Sequence, residues 1–275
     1  MKEEISRRVA LGLGAAAGAT VLLGSSKVMA AEPKRRIIVW SEGTEPAKVY
    51  PNGIRGAVAE ALGSLEGWEV LTRTLPDPGQ GVPEEDLAKT DVLFWWGHQK
   101  HKEVKQEVID SIDKNVRERG MGFVALHSSH FAEPYKKLMG TPCSWTHYTD
   151  DGSSCEMLLQ DVPKQNPNRR GGNRPPSSIP ALSKGVKDFT IPKMERYGEV
   201  FKCKEPSECV YWGVYTHPDG TKQPSRMMLS WKIGAGKVVY FQPGHETYPI
   251  FYQKEVQQLM RNCAEWCAPT RTTTG

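Results

Sequence analysis

The sequence predicts an α/β fold, a mainly parallel sheet flanked by helices, and three observations carry that prediction. From Arg35 onward, short β-branched or aromatic runs alternate with longer amphipathic segments, the rhythm of strands joined by crossover helices. The run Asp91-Val92-Leu93-Phe94-Trp95-Trp96-Gly97 is almost continuously apolar, as a strand covered on both faces must be. After it, Val104, Val108, Ile112 and Val116 recur every fourth residue among Lys, Glu and Asp, which makes one apolar helix stripe.

Residues 1–30 stand apart from this rhythm. Arg7 and Arg8 precede a weakly apolar run rich in Ala and Gly over 9–24, then Val28-Met29-Ala30 before Ala31, the layout of a twin-arginine export signal with a small-residue cleavage site. The run falls short of the roughly 20 apolar residues that span a bilayer. Export to the periplasm or the extracellular space is therefore expected, with no membrane attachment once the signal is removed. That route carries folded proteins, often with a metal or cofactor already loaded.

The remaining chain, 31–275, reads as a single domain. Its first strand is Arg35-Arg36-Ile37-Ile38-Val39-Trp40, followed by a helix through Ile54, Val58, Ala61, Leu62 and Leu65 and a second strand over 68–75. The 91–97 strand is predicted to be central. The helix after it stops at Gly120, a residue suited to the left-handed cap. Gly122-Phe123-Val124-Ala125-Leu126 is another buried strand and runs into His127-Ser128-Ser129-His130, with a short helix over 134–139 behind it. Between about 141 and 200 the pattern weakens, and 163–180 holds five prolines, two glycines and three arginines with almost nothing apolar, the composition of a loop insertion. Strands return at 209–215, 226–231 and 237–241, the first two antiparallel, before a terminal helix over 248–268 that ends at Pro269.

Charge and cysteine usage exclude several function classes. The 275 residues carry a net +4, of which +2 belongs to Lys2, Arg7, Arg8 and Lys27 against Glu3 and Glu4, leaving +2 on the rest. So small an excess gives no field that favours nucleic acid or an anionic membrane. The first strand is followed by no glycine-rich phosphate loop, so no nucleotide is expected as cofactor. Six cysteines are too few for a disulfide scaffold. Cys263 and Cys267 fall on the apolar stripe of the terminal helix and read as buried hydrophobes, while Cys203 and Cys209 flank a hairpin-like loop across which a disulfide could form.

In doubly wound sheets ligands sit beyond the carboxyl ends of the strands. Three predicted strands end there in histidine, at His98, His127 and His245, with His101, His130 and Glu246 close behind. Imidazoles and a carboxylate at one strand-end cleft suit a divalent metal, zinc above all, with His98, His127 and His245 as ligands. The same groups suit general acid and base catalysis without a metal, and His101 and His130 could instead cap or solvate helix starts. Trp96 is a candidate to line the site beside His98. Ser128 sits at a strand-to-helix turn but lacks the Gly-x-Ser-x-Gly setting of a hydrolase nucleophile. Cys143 reads as structural, and His147 and His217 as surface residues.

Five ordered segments together resemble the trehalose utilisation family, ThuA: Trp95-Trp96-Gly97-His98-Gln99-Lys100-His101, His127-Ser128-Ser129-His130-Phe131, Leu138-Met139-Gly140-Thr141, Tyr197-Gly198-Glu199, and Pro243-Gly244-His245-Glu246-Thr247-Tyr248-Pro249. The resemblance runs from about Arg35 to Pro269. It implies a flavodoxin-like sheet of the class I glutamine amidotransferase kind, with His127-Ser128-Ser129-His130 where the amidotransferase holds its catalytic cysteine, so glutamine hydrolysis is not expected. It also implies a role in the breakdown of trehalose and related disaccharides, alongside a dehydrogenase that oxidises the sugar to a 3-keto form. The resemblance carries over His98, His101, His127, His130, Glu199, His245 and Glu246 as site residues; among all the candidates, Glu246, Glu199 and His127 are assigned to catalysis and Trp96, His101, His130 and Tyr248 to sugar binding. Two departures are the 163–180 insertion, which bears on the site mouth or on a subunit contact in a homo-oligomer, and the export signal. The expected function is an exported enzyme acting on disaccharides or their 3-keto derivatives by histidine- or metal-assisted glycoside cleavage. The competing readings are a non-catalytic sugar-binding domain and a glycosidase in which Glu199 and Glu246 face each other.

Overall fold

The computed structural model describes residues 34–159 and 179–270. The segment expected to be an export signal, 1–30, and nearly all of the expected 163–180 insertion lie outside the described residues. The chain divides into two units, Met1–Pro33 and Lys34–Gly275, and the second carries every element below. Among the described residues no helix is long and apolar enough to cross a membrane.

The elements run β1 (Arg35–Ser41), α1 (Gly53–Leu62), β2 (Trp68–Thr74), α2 (Glu84–Leu87), β3 (Val92–Trp96), α3 (Gln106–Lys114), β4 (Gly122–Leu126), α4 (Glu133–Met139), β5 (Ser144–Leu158), β6 (Phe189–Lys202), β7 (Glu208–Thr216), β8 (Lys222–Ile233), β9 (Gly236–Phe241) and α5 (Lys254–Cys267). One nine-stranded sheet has the order β2-β1-β3-β4-β9-β8-β7-β5-β6. Its first five strands are parallel, and their order is the 2-1-3-4-5 of flavodoxin-like folds. β3 is the middle strand of that half, and all five of its residues are buried. The other half is antiparallel from β9 to β6.

Each face of the sheet has its own core. Ile37, Val39, Phe94, Trp96, Val124 and Val239 point to α1 and α5, while Ile38, Trp40, Leu93, Trp95, Phe123 and Ala125 point to α3 and α4. The alternation of neighbouring residues between the two clusters is the period-2 geometry of a strand covered on both sides. Gly120, at φ +83, caps the helical run after α3, as its sequence position predicts.

The stretch 141–200, expected to be mostly irregular, contains two of the longest strands. β5 and β6 pair antiparallel at the sheet edge, with register shifts between Trp145 and His147 and again around Ser153. Bulges break the alternation, and solvent on one face leaves Thr, His, Asp and Glu where a buried strand would show aliphatics. The terminal helix begins at Lys254, after a 3-10 turn over Ile250–Tyr252 that follows Pro249. The Cys203 thiol meets Cys143, with the sulfurs 3.6 Å apart, rather than Cys209. Cys203 follows the end of β6, opposite Cys143, whereas Cys209 lies in β7 with its thiol on the carbonyl of Tyr211.

Candidate functional site

The turn after β4 places His127 in a conformation that L side chains rarely adopt, at φ +49. Such strain persists only where the surroundings over-determine it. Here Ser128 Oγ donates to the carbonyl of Gly97 at 2.7 Å, and Ser129 Oγ donates to the carbonyl of Trp95 at 2.8 Å. Both hydroxyls stitch the ends of β3 and β4 together, so Ser128 serves the turn rather than offering a nucleophile. Gly244 seals the other side, since a Cβ there would fall 2.4 Å from that of His127.

His127 is fully buried, and both of its ring nitrogens are engaged. Nδ1 lies 2.8 Å from the carbonyl of Gln242; a carbonyl only accepts, so Nδ1 carries a hydrogen. Nε2 lies 2.9 Å from Glu195 Oε2 and 3.0 Å from the Tyr197 hydroxyl. The Tyr197 ring covers the imidazole, with centroids 4.6 Å apart. Burial works to raise the Glu195 carboxyl, but the hydrogen bond and charge of His127, with help from Tyr197 and His245, hold it down at about 2. Glu195 is ionised across the physiological range.

His245 continues the cluster. Its Nδ1 accepts from the backbone N–H of Thr247 at 3.1 Å, so in the neutral ring the hydrogen sits on Nε2. That nitrogen faces Glu195 and Asp150, each at 3.8 Å, too far for a hydrogen bond. Burial, followed by the neighbouring His127, lowers the pKa of His245, which keeps the ring neutral. Glu246 Oε2 lies 3.7 Å from His245 Nδ1, and Oε1 lies 3.5 Å from His98 Nε2. Among the described residues, Glu246 Oε2 is buried with no hydrogen-bond partner. His98, Glu246, His245, Glu195 and His127 thus form a line of three imidazoles alternating with two carboxylates.

Surrounding residues hold the line in place. Glu42, at the end of β1, accepts the N–H groups of Gln99 at 2.6 Å and Lys100 at 3.0 Å, fixing the loop that carries His98. Trp96 is buried in the core and stacks under His98, with centroids 5.8 Å apart, so it supports that ring from below rather than offering a free face. His130 donates from Nδ1 to the carbonyl of Cys143 at 2.7 Å. Burial lowers it to about 3, which leaves it neutral. Tyr248 stands at the rim, donating to Asp150 at 2.9 Å with its ring centroid 5.1 Å from that of His245.

Glu199 is held elsewhere. Arg226 grips it through two bonds of 2.9 and 3.0 Å, and the backbone N–H of Phe201 donates to it as well. The carboxylate beside His127 is Glu195, which sequence analysis did not single out. Its only signal is the spacing Glu195-x-Tyr197, two residues on one face once β6 is known to be a strand. His147 is exposed, and His217 lies 3.7 Å from Asp151.

The donor set does not fit the zinc site expected from His98, His127 and His245. Protein partners occupy both nitrogens of His127, and Glu246 separates His98 from His245. Among the described residues no group of three or more His, Cys, Asp and Glu is arranged to hold a metal ion. The geometry suits proton transfer between paired acids and bases.

A family model for ThuA, trehalose utilisation, matches residues 36–267. The chain belongs to the ThuA family. Two ThuA-like structures share its fold. A putative ThuA-like protein from Parabacteroides merdae ATCC 43184 is 12% identical, with a TM-score of 0.59 over 88% of this chain and 93% of that one. Another, from Bacteroides uniformis ATCC 8492, is 14% identical, with a TM-score of 0.57 over 88% and 95%. The glutaminase domain of Trypanosoma brucei CTPS has a TM-score of 0.42 at 10% identity over 84% of this chain and 94% of that one. No curated protein matches the chain. In this ThuA family member the turn after β4 presents His127, and the nearby Cys143 is buried against Cys203.

Proposed function

We propose that this ThuA family member is an exported carbohydrate-active enzyme that cleaves disaccharides or their 3-keto derivatives, using its line of histidines and carboxylates for proton transfer. The observation that carries the reading is Glu246, whose Oε2 is buried without a partner among the described residues while histidines stand on both sides of the carboxylate. A buried carboxylate oxygen left unpaired is costly, and an acidic C–H or hydroxyl of a bound sugar relieves that cost.

A carbonyl at the 3-position acidifies the C–H at C2. Glu246 takes that proton, the electron pair forms a C1–C2 double bond, and the glycosidic C1–O bond breaks. The same carboxyl returns the proton to the departing oxygen, so the products are an enone and a free sugar. The Nε2–H of neutral His245, which makes no hydrogen bond to Glu195 or Asp150, meets the oxygen that becomes an enolate. Glu195, ionised and fixed by His127, does not itself serve as base, since a group held near 2 is a poor acceptor at neutral pH.

Incubating the full chain with trehalose and with 3-keto-trehalose, with products followed by mass spectrometry, tests this reading. The expected result is glucose together with the unsaturated keto sugar from the 3-keto substrate. Stoichiometric binding of both sugars without turnover would replace the enzyme with a sugar-binding domain.

A further inference from the structure

Six cysteines take no part in the line of histidines and carboxylates, and the two faces of the sheet divide them. Cys155, Cys263 and Cys267 are fully buried in the cluster facing α1 and α5. Cys143, Cys203 and Cys209 lie on the other face, and of these Cys203 alone is partly exposed.

Cys143 stands one residue before β5 and Cys203 one residue after β6. Because Ser144 pairs with Lys202, the two cysteines are the next opposed pair of the ladder. Opposed residues of antiparallel strands have Cα atoms roughly 4.5–5.5 Å apart, within the range a disulfide spans. Backbone contacts fix both residues there. The N–H of Cys143 donates to the carbonyl of Lys202 at 3.0 Å, its carbonyl accepts from His130 at 2.7 Å, and the N–H of Cys203 donates to the carbonyl of Phe201 at 2.9 Å. Cys143 takes a φ of +52, a conformation that persists only where such contacts over-determine it. The sulfurs meet at 3.6 Å, with Thr141 Oγ1 3.3 Å from that of Cys143 and the Tyr135 hydroxyl 3.8 Å from that of Cys203. The hydrogen bond from Cys143, helped by Tyr135 and Thr141, lowers the pKa of Cys203 against the opposing effect of burial, while giving that bond raises Cys143. Since the thiolate is the attacking species in exchange, the partly exposed Cys203 reacts first and the buried Cys143 second.

We propose that Cys143 and Cys203 are an oxidation site, at which a small-molecule disulfide converts the two thiols into a disulfide tying the entry of β5 to the exit of β6. The Cys203 thiolate attacks one sulfur of the oxidant, forms a mixed disulfide and expels one thiolate. Cys143 then gives up its proton and attacks the Cys203 sulfur, expelling the second thiolate. Two protein thiols are oxidised, the oxidant is reduced to two thiols, and both protein protons end on those thiols. The cysteines are 60 residues apart in sequence, so the bond removes freedom chiefly from the unfolded chain and stabilises the fold. It braces the strand pair whose β6 carries Glu195 and Tyr197 against His127. The inference does not depend on the sugar reading.

The test incubates the full chain with oxidised glutathione, then denatures and alkylates it without reductant. Digestion with trypsin and chymotrypsin cuts after Lys204, between Cys203 and Cys209, and after Trp145, between Cys143 and Cys155. The expected result is a linked peptide pair carrying Cys143 and Cys203, together with a Tm about 4 °C or more above that of the same protein reduced with dithiothreitol. Cys203→Ser is expected to show neither the link nor a rise in Tm on oxidation. Six alkylated thiols, glutathione left on either cysteine, or a link between Cys203 and Cys209 overturns the oxidation site. A linked pair that melts with the reduced protein overturns the bracing.

Discussion

Replacing Glu195 with Gln keeps the shape of the side chain and removes its charge. The carboxyl is held at about 2 against an unperturbed 4.5, a difference that corresponds to about 3 kcal/mol of folding stability. Its folded pKa is depressed, so the contribution is complete above about 4.5 and is lost as pH falls toward 2. The side chain is 18% exposed, so screening trims the figure only modestly. At pH 7 the variant is expected to be less stable by about 3 kcal/mol, or roughly 6 to 12 °C in Tm for a domain of this size. By pH 3 about half of the difference should remain, and by pH 2 almost none. Calorimetric melts of both proteins at pH 7, 5, 3 and 2 measure it. A variant that melts with wild type at pH 7, or a gap constant down to pH 2, would refute the stabilising contact of Glu195 with His127.

Further predictions follow from single contacts. Gly244→Ala drives a methyl to within 2.4 Å of His127 Cβ, so it is expected to cost about 1–3 kcal/mol and to lower turnover more than Gly97→Ala does. His130, held neutral down to about 3 by burial, is expected to show no imidazole titration by NMR between pH 8 and 5. The unfolded chain takes up that proton near the ordinary 6.5, so His130 removes stability as pH falls below that value, and a midpoint near 6 in the folded protein contradicts its burial. Treatment with EDTA is expected to leave the melting point and turnover unchanged, because protein partners occupy both His127 nitrogens; a loss restored by zinc contradicts that arrangement.

The parallel half of the fold was legible because its inner strands, β1, β3, β4 and β9, are largely buried on both faces and write their burial directly into apolar runs. Val92, Leu93, Phe94, Trp95 and Trp96 admit no other reading. The same logic brought His98, His127 and His245 to one edge, since all three follow strands of the parallel half. The antiparallel edge was not legible. Thr146, His147, Tyr148, Thr149, Asp150 and Asp151 lie in a bulged strand half open to solvent, and their polarity reads as loop. Glu195 and Tyr148 both lie on that pair of strands, so the carboxylate at His127 and the aromatic contact of Tyr148 with Tyr197 were hidden together. Glu199 carried a family motif, but it pairs with Arg226, a partner 27 residues away that no local spacing reveals.

The central claim is that the Glu246 carboxylate moves the proton. Its most direct test is the steady-state cleavage of 3-keto-trehalose by wild type and Glu246→Gln, with thermal melts as the control for folding. The account predicts that the variant melts like wild type while kcat falls by about two to four orders of magnitude, the range for loss of a general acid or base. Wild-type kcat in a folded Glu246→Gln protein would contradict it.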